Sequence, residues 1–189
     1  EFNRQYPQVL FSIREADSEH VIRKVITDEV MLGFTGTTLD DDKCEFTQIA
    51  EDRLVIVAPN TEEYRALPKD DFPTETLRTA PIILRMLGSG TRKEADSYLI
   101  NCGLNPSELH TVAYFDSIES IKQGVRCGMG ISIMSEISVA DLENQGEVLI
   151  FRNENPFMHR HLYCVYKKSR QLPPSAELFV KFLKEAGGR

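Results

Sequence analysis

Nine consecutive residues, Gly88-Ser89-Gly90-Thr91-Arg92-Lys93-Glu94-Ala95-Asp96, carry the clearest chemical signal in the chain. They follow an apolar, strand-like run, Pro81-Ile82-Ile83-Leu84, and open a helix. Two glycines let the backbone turn sharply and approach a bound group closely. Thr91 and Glu94 have capping-box spacing, which starts the helix here; the Ser89 and Thr91 hydroxyls either point inward or only cap the helix, and the box with Glu94 favours the cap for Thr91. First-turn N–H groups lack intrahelical acceptors and carry partial positive charge, so a small anion is accommodated there. A plain strand-to-helix turn with a good cap accounts for the same residues, and both readings stand at this level. Two more loops have similar chemistry, Thr35-Gly36-Thr37-Thr38 after one apolar run and Gly128-Met129-Gly130 before another. Each offers hydroxyls or backbone N–H groups and little bulk.

Other chemistries are poorly served. The glycine turn is not a phosphate-binding P-loop, because no Lys-Ser/Thr pair follows a second glycine at the required place. It also fails as a dinucleotide fingerprint, since Lys93 stands where the third glycine belongs. No G-x-S-x-G or H-E-x-x-H occurs, so neither catalysis nor a cofactor is expected. His20 and His110 are isolated. His159 and His161 alternate and share a strand face, but two ligands alone make a poor metal site. Cys44, Cys102, Cys127 and Cys164 form no C-x-x-C pair and are expected to be reduced thiols of a cytosolic protein. Cys127, next to the Gly128-Met129-Gly130 loop, has no evident redox partner. Asp40-Asp41-Asp42 lacks the glycine and glutamate of a calcium loop and reads as a solvated turn. A net charge of -7 argues against this chain gripping a nucleic-acid backbone by itself. Lys167-Lys168-Ser169-Arg170 reads as a solvated loop. No apolar run approaches membrane-spanning length.

The elements that must position these loops alternate. With 189 residues, 41% of them hydrophobic, the chain suffices for one domain or two small lobes. Val9-Leu10-Phe11-Ser12-Ile13, Val30 to Phe34, Leu54 to Ala58, Pro81 to Leu84, Val112 to Phe115, Ile131 to Met134, Val148 to Phe151 and Leu162 to Tyr166 read as strands, several of them covered on both faces. Helices are expected after Asp17, with Val21, Ile22, Val25 and Ile26 on one face, and after Gly90, with Ala95, Tyr98, Leu99 and Cys102. Others follow Ser117 (Ile118, Ile121, Val125), span 135–146 in part, and follow Ser175. Residues 61–79 read as a connecting segment. The alternation implies an α/β fold with mostly parallel sheets, in which ligands gather at the carboxyl ends of strands. All three small-residue loops are assigned to such ends.

Gly88-Ser89-Gly90-Thr91-Arg92, then Ser117 to Val125, then Gly128-Met129-Gly130-Ile131-Ser132, in this order and spacing, closely resemble the effector-binding domain of LysR-type transcriptional regulators. Tyr6-Pro7 and the ending Phe179-Val180-Lys181-Phe182-Leu183 extend the likeness over essentially the whole chain. The resemblance implies a two-lobed, periplasmic-binding-protein-like α/β fold with a ligand cleft between lobes, lobe I comprising residues 1–79 and 152–189 and lobe II residues 80–151. It implies that a winged helix-turn-helix, a linker helix and the first strand of lobe I precede this chain, and that DNA is contacted only through that preceding part. Carried over residue by residue, the effector-binding set is Thr35, Gly36 and Thr37 from one lobe, and Arg85, Ser89, Gly90, Thr91, Met129 and Gly130 from the other. Some relatives have a hydroxyl residue where Gly90 stands. Arg85 is the candidate counter-charge for a small anionic effector; an exposed or structurally paired arginine is the alternative. The implied function is effector sensing in a cytoplasmic bacterial regulator, without membrane contact. Copies are expected to pair as dimers or tetramers through lobe I to lobe II contacts, with 21–26 and 118–125 as candidate surfaces unless their apolar stripes are spent on the sheets. A periplasmic solute-binding protein of a transport system is the rival reading.

Overall fold

The computed structural model describes residues 1–39 and 42–187, so Asp40 and Asp41 of the triple-aspartate turn lie outside the described residues. In chain order the elements are α1 (Phe2–Gln5), α2 (Ser18–Ile26), β1 (Gly33–Thr35), β2 (Cys44–Pro59), α3 (Glu62–Arg65), α4 (Thr74–Thr79), β3 (Ile82–Arg85), α5 (Gly90–Asn101), β4 (Thr111–Phe115), α6 (Ile118–Arg126), β5 (Ile131–Ser135), α7 (Glu136–Asn144), β6 (Val148–Phe151), β7 (His159–Lys167) and α8 (Pro174–Gly187). The chain divides into two compact units, one of Glu1–Glu51 with His161–Arg189 and one of Asp52–Arg160. The long strands β2 and β7 each begin in one unit and end in the other.

In the first unit, the Asp17 carboxylate accepts from the His20 N–H and starts α2. Ile22 and Val25 on its inner face are buried with Cys44 and Val165. Gly33 permits this approach: a Cβ there would stand 2.5 Å from Val21 and 2.9 Å from Val165. β1 pairs antiparallel with β7, Thr35 opposite Tyr163. Phe2 packs edge-on against Phe11, Phe179 and Phe182. Val9 to Ile13, expected as a strand, forms none, and Leu10 and Ile13 are 94% and 87% exposed. An apolar run becomes a strand only where a neighbour takes its backbone N–H and C=O groups, and no described strand pairs with this one.

The second unit is a mixed sheet covered on both faces. β3 runs parallel to β4 and β5, while β2 runs antiparallel to β5 and β6. This corrects the expectation of mostly parallel sheets. A continuous apolar run reports burial on two faces, not strand direction. Successive residues divide between the faces as the pleat demands. Leu54, Ile56, Ala58, Ile82, Leu84, Ile131 and Ile133 pack with Ala95, Tyr98 and Leu99 of α5. Val55, Val57, Ile83 and Met134 pack with Ile121 and Val125 of α6 and Val139 and Leu142 of α7. The segment 61–79 is not bare connection, since α3 and α4 lie in it and bury Tyr64 and Leu77. Residues 52–79 and 152–160, given to lobe I in the sequence reading, fall in the middle unit because Leu54, Ile56, Tyr64, Phe72, Leu77 and Met158 bury in its core. Among the described residues no helix is long and apolar enough to cross a membrane.

Candidate functional site

Parallel β3 and β5 place Arg85 and Ser135 at the same end of the second unit's sheet, and antiparallel β2 brings Leu54 opposite Ser135 there. Asp52, two residues before Leu54, therefore enters at this rim. α5 and α7 also begin at this end, after Ser89 and Ser135. Their first-turn N–H groups make the rim attractive to anions.

Four side chains join there in one network. Ser135 Oγ donates to Asp52 Oδ1 at 2.8 Å. Arg160 Nε and Nη2 reach Asp52 Oδ2 at 2.8 and 2.6 Å. Arg160 Nη1 donates to Thr91 Oγ1 at 2.9 Å. The Asp52 and Arg160 side chains are 1% and 8% exposed. A pair this deep is tolerated only because each charge has its partner and further hydrogen bonds. The N-cap of α5 is Ser89, and the helix begins at Gly90, two residues earlier than the capping-box reading placed it. No side chain caps α5: the Thr91 hydroxyl, expected to do so, accepts from Arg160 instead. Ser89, Gly90 and Thr91 are all buried. A buried helix start without a cap, beside a buried guanidinium, is a ready receptor for an oxyanion.

Arg85 ends β3 half-buried at the same rim and is engaged by another group. Its carbonyl accepts from Arg92 Nη1, and the Arg92 Nε–H is shared between the two carboxylate oxygens of Asp96. Arg92 also lies 5.4 Å over the Tyr114 ring. Arg92 is thus structural, tying β3, α5 and β4. In the first unit, Thr35 and Thr37 are buried and Gly36 is half-buried. The Thr35 Oγ1 has no hydrogen-bond partner among the described residues. An orphaned buried hydroxyl costs about 1–3 kcal/mol, which a bound ligand relieves.

Met129 and Gly130 do not join the rim. Ile131 pairs with Ile82, so Gly130 lies beside Pro81 at the amino end of β3 and β5, a strand length from Ser89. This corrects their placement at a carboxyl end: the Gly128-Met129-Gly130 loop precedes its strand, and the direction of that strand decides the end. A cavity of about 620 Å³ lies at this amino end, lined by Pro59, Glu62, Thr76, Pro81 and Gly130 among others.

Asp52, Ser135 and Arg160 were absent from the sequence-based set. Asp52 and Arg160 are 108 positions apart, and nothing local marks either as a partner. None of the four cysteines is in a disulfide, and burial pushes the Cys164 thiol up to about 11, which keeps it protonated at neutral pH. His159 and His161 share an exposed face of β7. Among the described residues no three His, Cys, Asp or Glu side chains are grouped to hold a metal.

The middle unit is thus a mixed α/β layer whose rim gathers an uncapped helix start, hydroxyls and a buried arginine. The model of the LysR substrate binding domain family matches residues 1–188, and the chain belongs to that family. It is similar to the HTH-type transcriptional activator CmpR of Synechocystis sp., 27% identical over 183 residues. The match covers 97% of this chain and 59% of CmpR, so the chain spans rather more than half of that relative's length. Its fold is similar to the regulatory domain of CcmR from Synechocystis PCC6803 in complex with 2-PG (TM-score 0.84, 22% identity, 98% of this chain and 87% of that one). It is also similar to the effector binding domain of QuiR in complex with shikimate (TM-score 0.86, 20% identity, 99% and 87%).

Proposed function

We propose that this chain is the effector-sensing part of a LysR-type transcription regulator of the cytoplasm, and that its effector is a small organic anion. The observation that carries the reading is the buried, uncapped start of α5, in a chain matched along its length by the family. Ser89, Gly90 and Thr91 supply hydroxyls and N–H groups, with Arg85 at the same rim. In the other unit, Thr35, Gly36 and Thr37 are proposed as ligand-binding residues, on the strength of the orphaned Thr35 hydroxyl. Met129 and Gly130, at the far end of the strands, are left out. CcmR with 2-PG and QuiR with shikimate support the chemical class, because shikimate is a carboxylate. The effector acts by binding one conformational state more tightly than another, which is the most any ligand can do to such an equilibrium.

In this reading DNA is contacted by a separate winged helix-turn-helix, and copies of the regulator pair. The apolar faces of α2 and α6 are spent within their own units, where Ile22, Val25, Ile121 and Val125 are buried. Their polar faces are therefore the proposed pairing surfaces. Transport is the weaker reading, since the family is a regulator's domain and CmpR is a transcriptional activator. Calorimetric titration of the chain with small carboxylates and phosphorylated acids, shikimate among them, tests the proposal. Saturable one-to-one binding of at least one acid is expected, weakened by Arg85→Ala. An entirely silent panel would overturn effector sensing, and unchanged affinity in Arg85→Ala would remove that arginine's part.

A further inference from the structure

We infer that Arg160 is the residue through which this domain reads the anionic group of its effector, a carboxylate or other oxyanion seated on the first turn of α5. The inference deepens the effector-sensing role and rests on it. A guanidinium has five N–H donors in a fixed plane. Among the described residues Arg160 commits three of them, two to Asp52 and one to Thr91. One donor each on Nη1 and Nη2 is left, on a side chain that is 8% exposed. Asp52 holds the plane from one side and Thr91, in the first turn of α5, from the other. The guanidinium is thereby fixed beside the helix start rather than free to swing. Thr91 accepts from Arg160, so its own hydroxyl proton is available for an outside acceptor.

Independently, the Ser89 hydroxyl makes no cap hydrogen bond although the residue is 5% exposed. An N-cap serine normally satisfies a first-turn donor. Here the N–H groups of that turn have no side-chain acceptor. An oxyanion at this point accepts from the α5 turn, from Ser89 or Thr91, and from the spare Nη donors. Asp52 has a second consequence. It neutralises Arg160 when no ligand is present, so the empty site does not carry a bare buried charge. Recognition then comes from aimed donors more than from net charge, which selects planar or tetrahedral oxyanions over chloride.

The test uses inorganic phosphate and acetate as probes on the whole 189-residue chain, titrated against sodium chloride at constant ionic strength. Amide and arginine Nε chemical shifts are followed by NMR. Wild type should show saturable shifts at Gly90, Thr91, Arg92 and Arg160 Nε, with phosphate or acetate and not with chloride. Arg160→Gln should weaken that binding by about tenfold or more, the loss expected for a charge-assisted hydrogen bond. Arg126→Gln removes the same charge from the exposed end of α6 and should change affinity by less than about twofold. Because Arg160→Gln leaves Asp52 buried without its partner, the double variant Asp52→Asn with Arg160→Gln is measured beside it and should show the same loss with the fold intact. The inference is overturned if wild type shows no saturable shifts in the α5 turn, or if the double variant binds phosphate as wild type does. Phosphate binding through Arg160 in a chain that ignores every organic acid would keep Arg160 as the anion-binding residue and sink the effector-sensing role instead.

Discussion

Gly130 illustrates how one residue type is fixed by close packing. A Cβ at this position would stand 2.4 Å from the Pro81 carbonyl oxygen and 2.8 Å from its carbon, both backbone atoms. The neighbour cannot swing away as a flexible side chain would. Gly130→Ala is therefore expected to destabilise by about 1–3 kcal/mol, read from the midpoint of urea denaturation, without altering phosphate binding at α5. An unchanged midpoint would show that β3 and β5 part more easily than the register implies. The glycine pattern was legible in the sequence, but its place in the sheet was not: Gly130 packs against Pro81, beside the pair Ile82 and Ile131. Thr91 went the other way. Its spacing from Glu94 marks a cap, and the fold recruits its hydroxyl to a buried guanidinium from a strand that begins far along the chain.

Single elements hold their places through caps and ion pairs as well as apolar faces. Asp17 caps α2, and Asp17→Ala should cost about 1 kcal/mol and speed amide exchange at the start of that helix first; uniform loosening of the whole chain would argue against a local cap. α7 is tied back to β6 and its following loop by Arg152, which is bidentate on Glu143 at 2.8 and 2.7 Å and reaches Glu136 at 2.6 Å. The hydrogen bonds from Arg152 hold the Glu143 carboxyl below its ordinary value of 4.5. A lowered folded value means that the carboxylate contributes stability above pH 4.5, and that this is lost as pH falls through the lowered value. Glu143→Gln should therefore be less stable than wild type near neutrality, with the gap closing in acid. A gap that stays constant with pH would mean that the pair contributes nothing. The pairing of Arg152 with α7 spans 9 and 16 positions, and no period in the sequence announces it.

At the scale of the whole molecule, two units of unequal integrity emerge. The middle unit buries two apolar faces of one sheet, whereas the other leaves Leu10 and Ile13 in solvent. Exposed aliphatic side chains beside unpaired backbone invite association. Leu10→Thr with Ile13→Thr should lower self-association in sedimentation velocity while shifting stability by no more than about 0.5 kcal/mol. A large loss of stability would reveal that the segment is packed after all.

Local periodicity determined most of the elements of this chain. The i, i+3, i+4 stripe of α5, the cap of α2 and the apolar runs of β2, β3 and β5 each encode burial within a few residues, and the ordered glycine and hydroxyl motifs carried the family. Only the tertiary structure decided strand direction, the grouping of residues 52–79 with the middle unit, the exile of Met129 and Gly130 to the opposite end, and the meeting of Asp52, Thr91, Ser135 and Arg160. The reason is physical. Hydrophobic pattern specifies which face is buried, whereas the partner of a buried charge is chosen in space, by whichever opposite group the packed sheet brings within hydrogen-bonding reach.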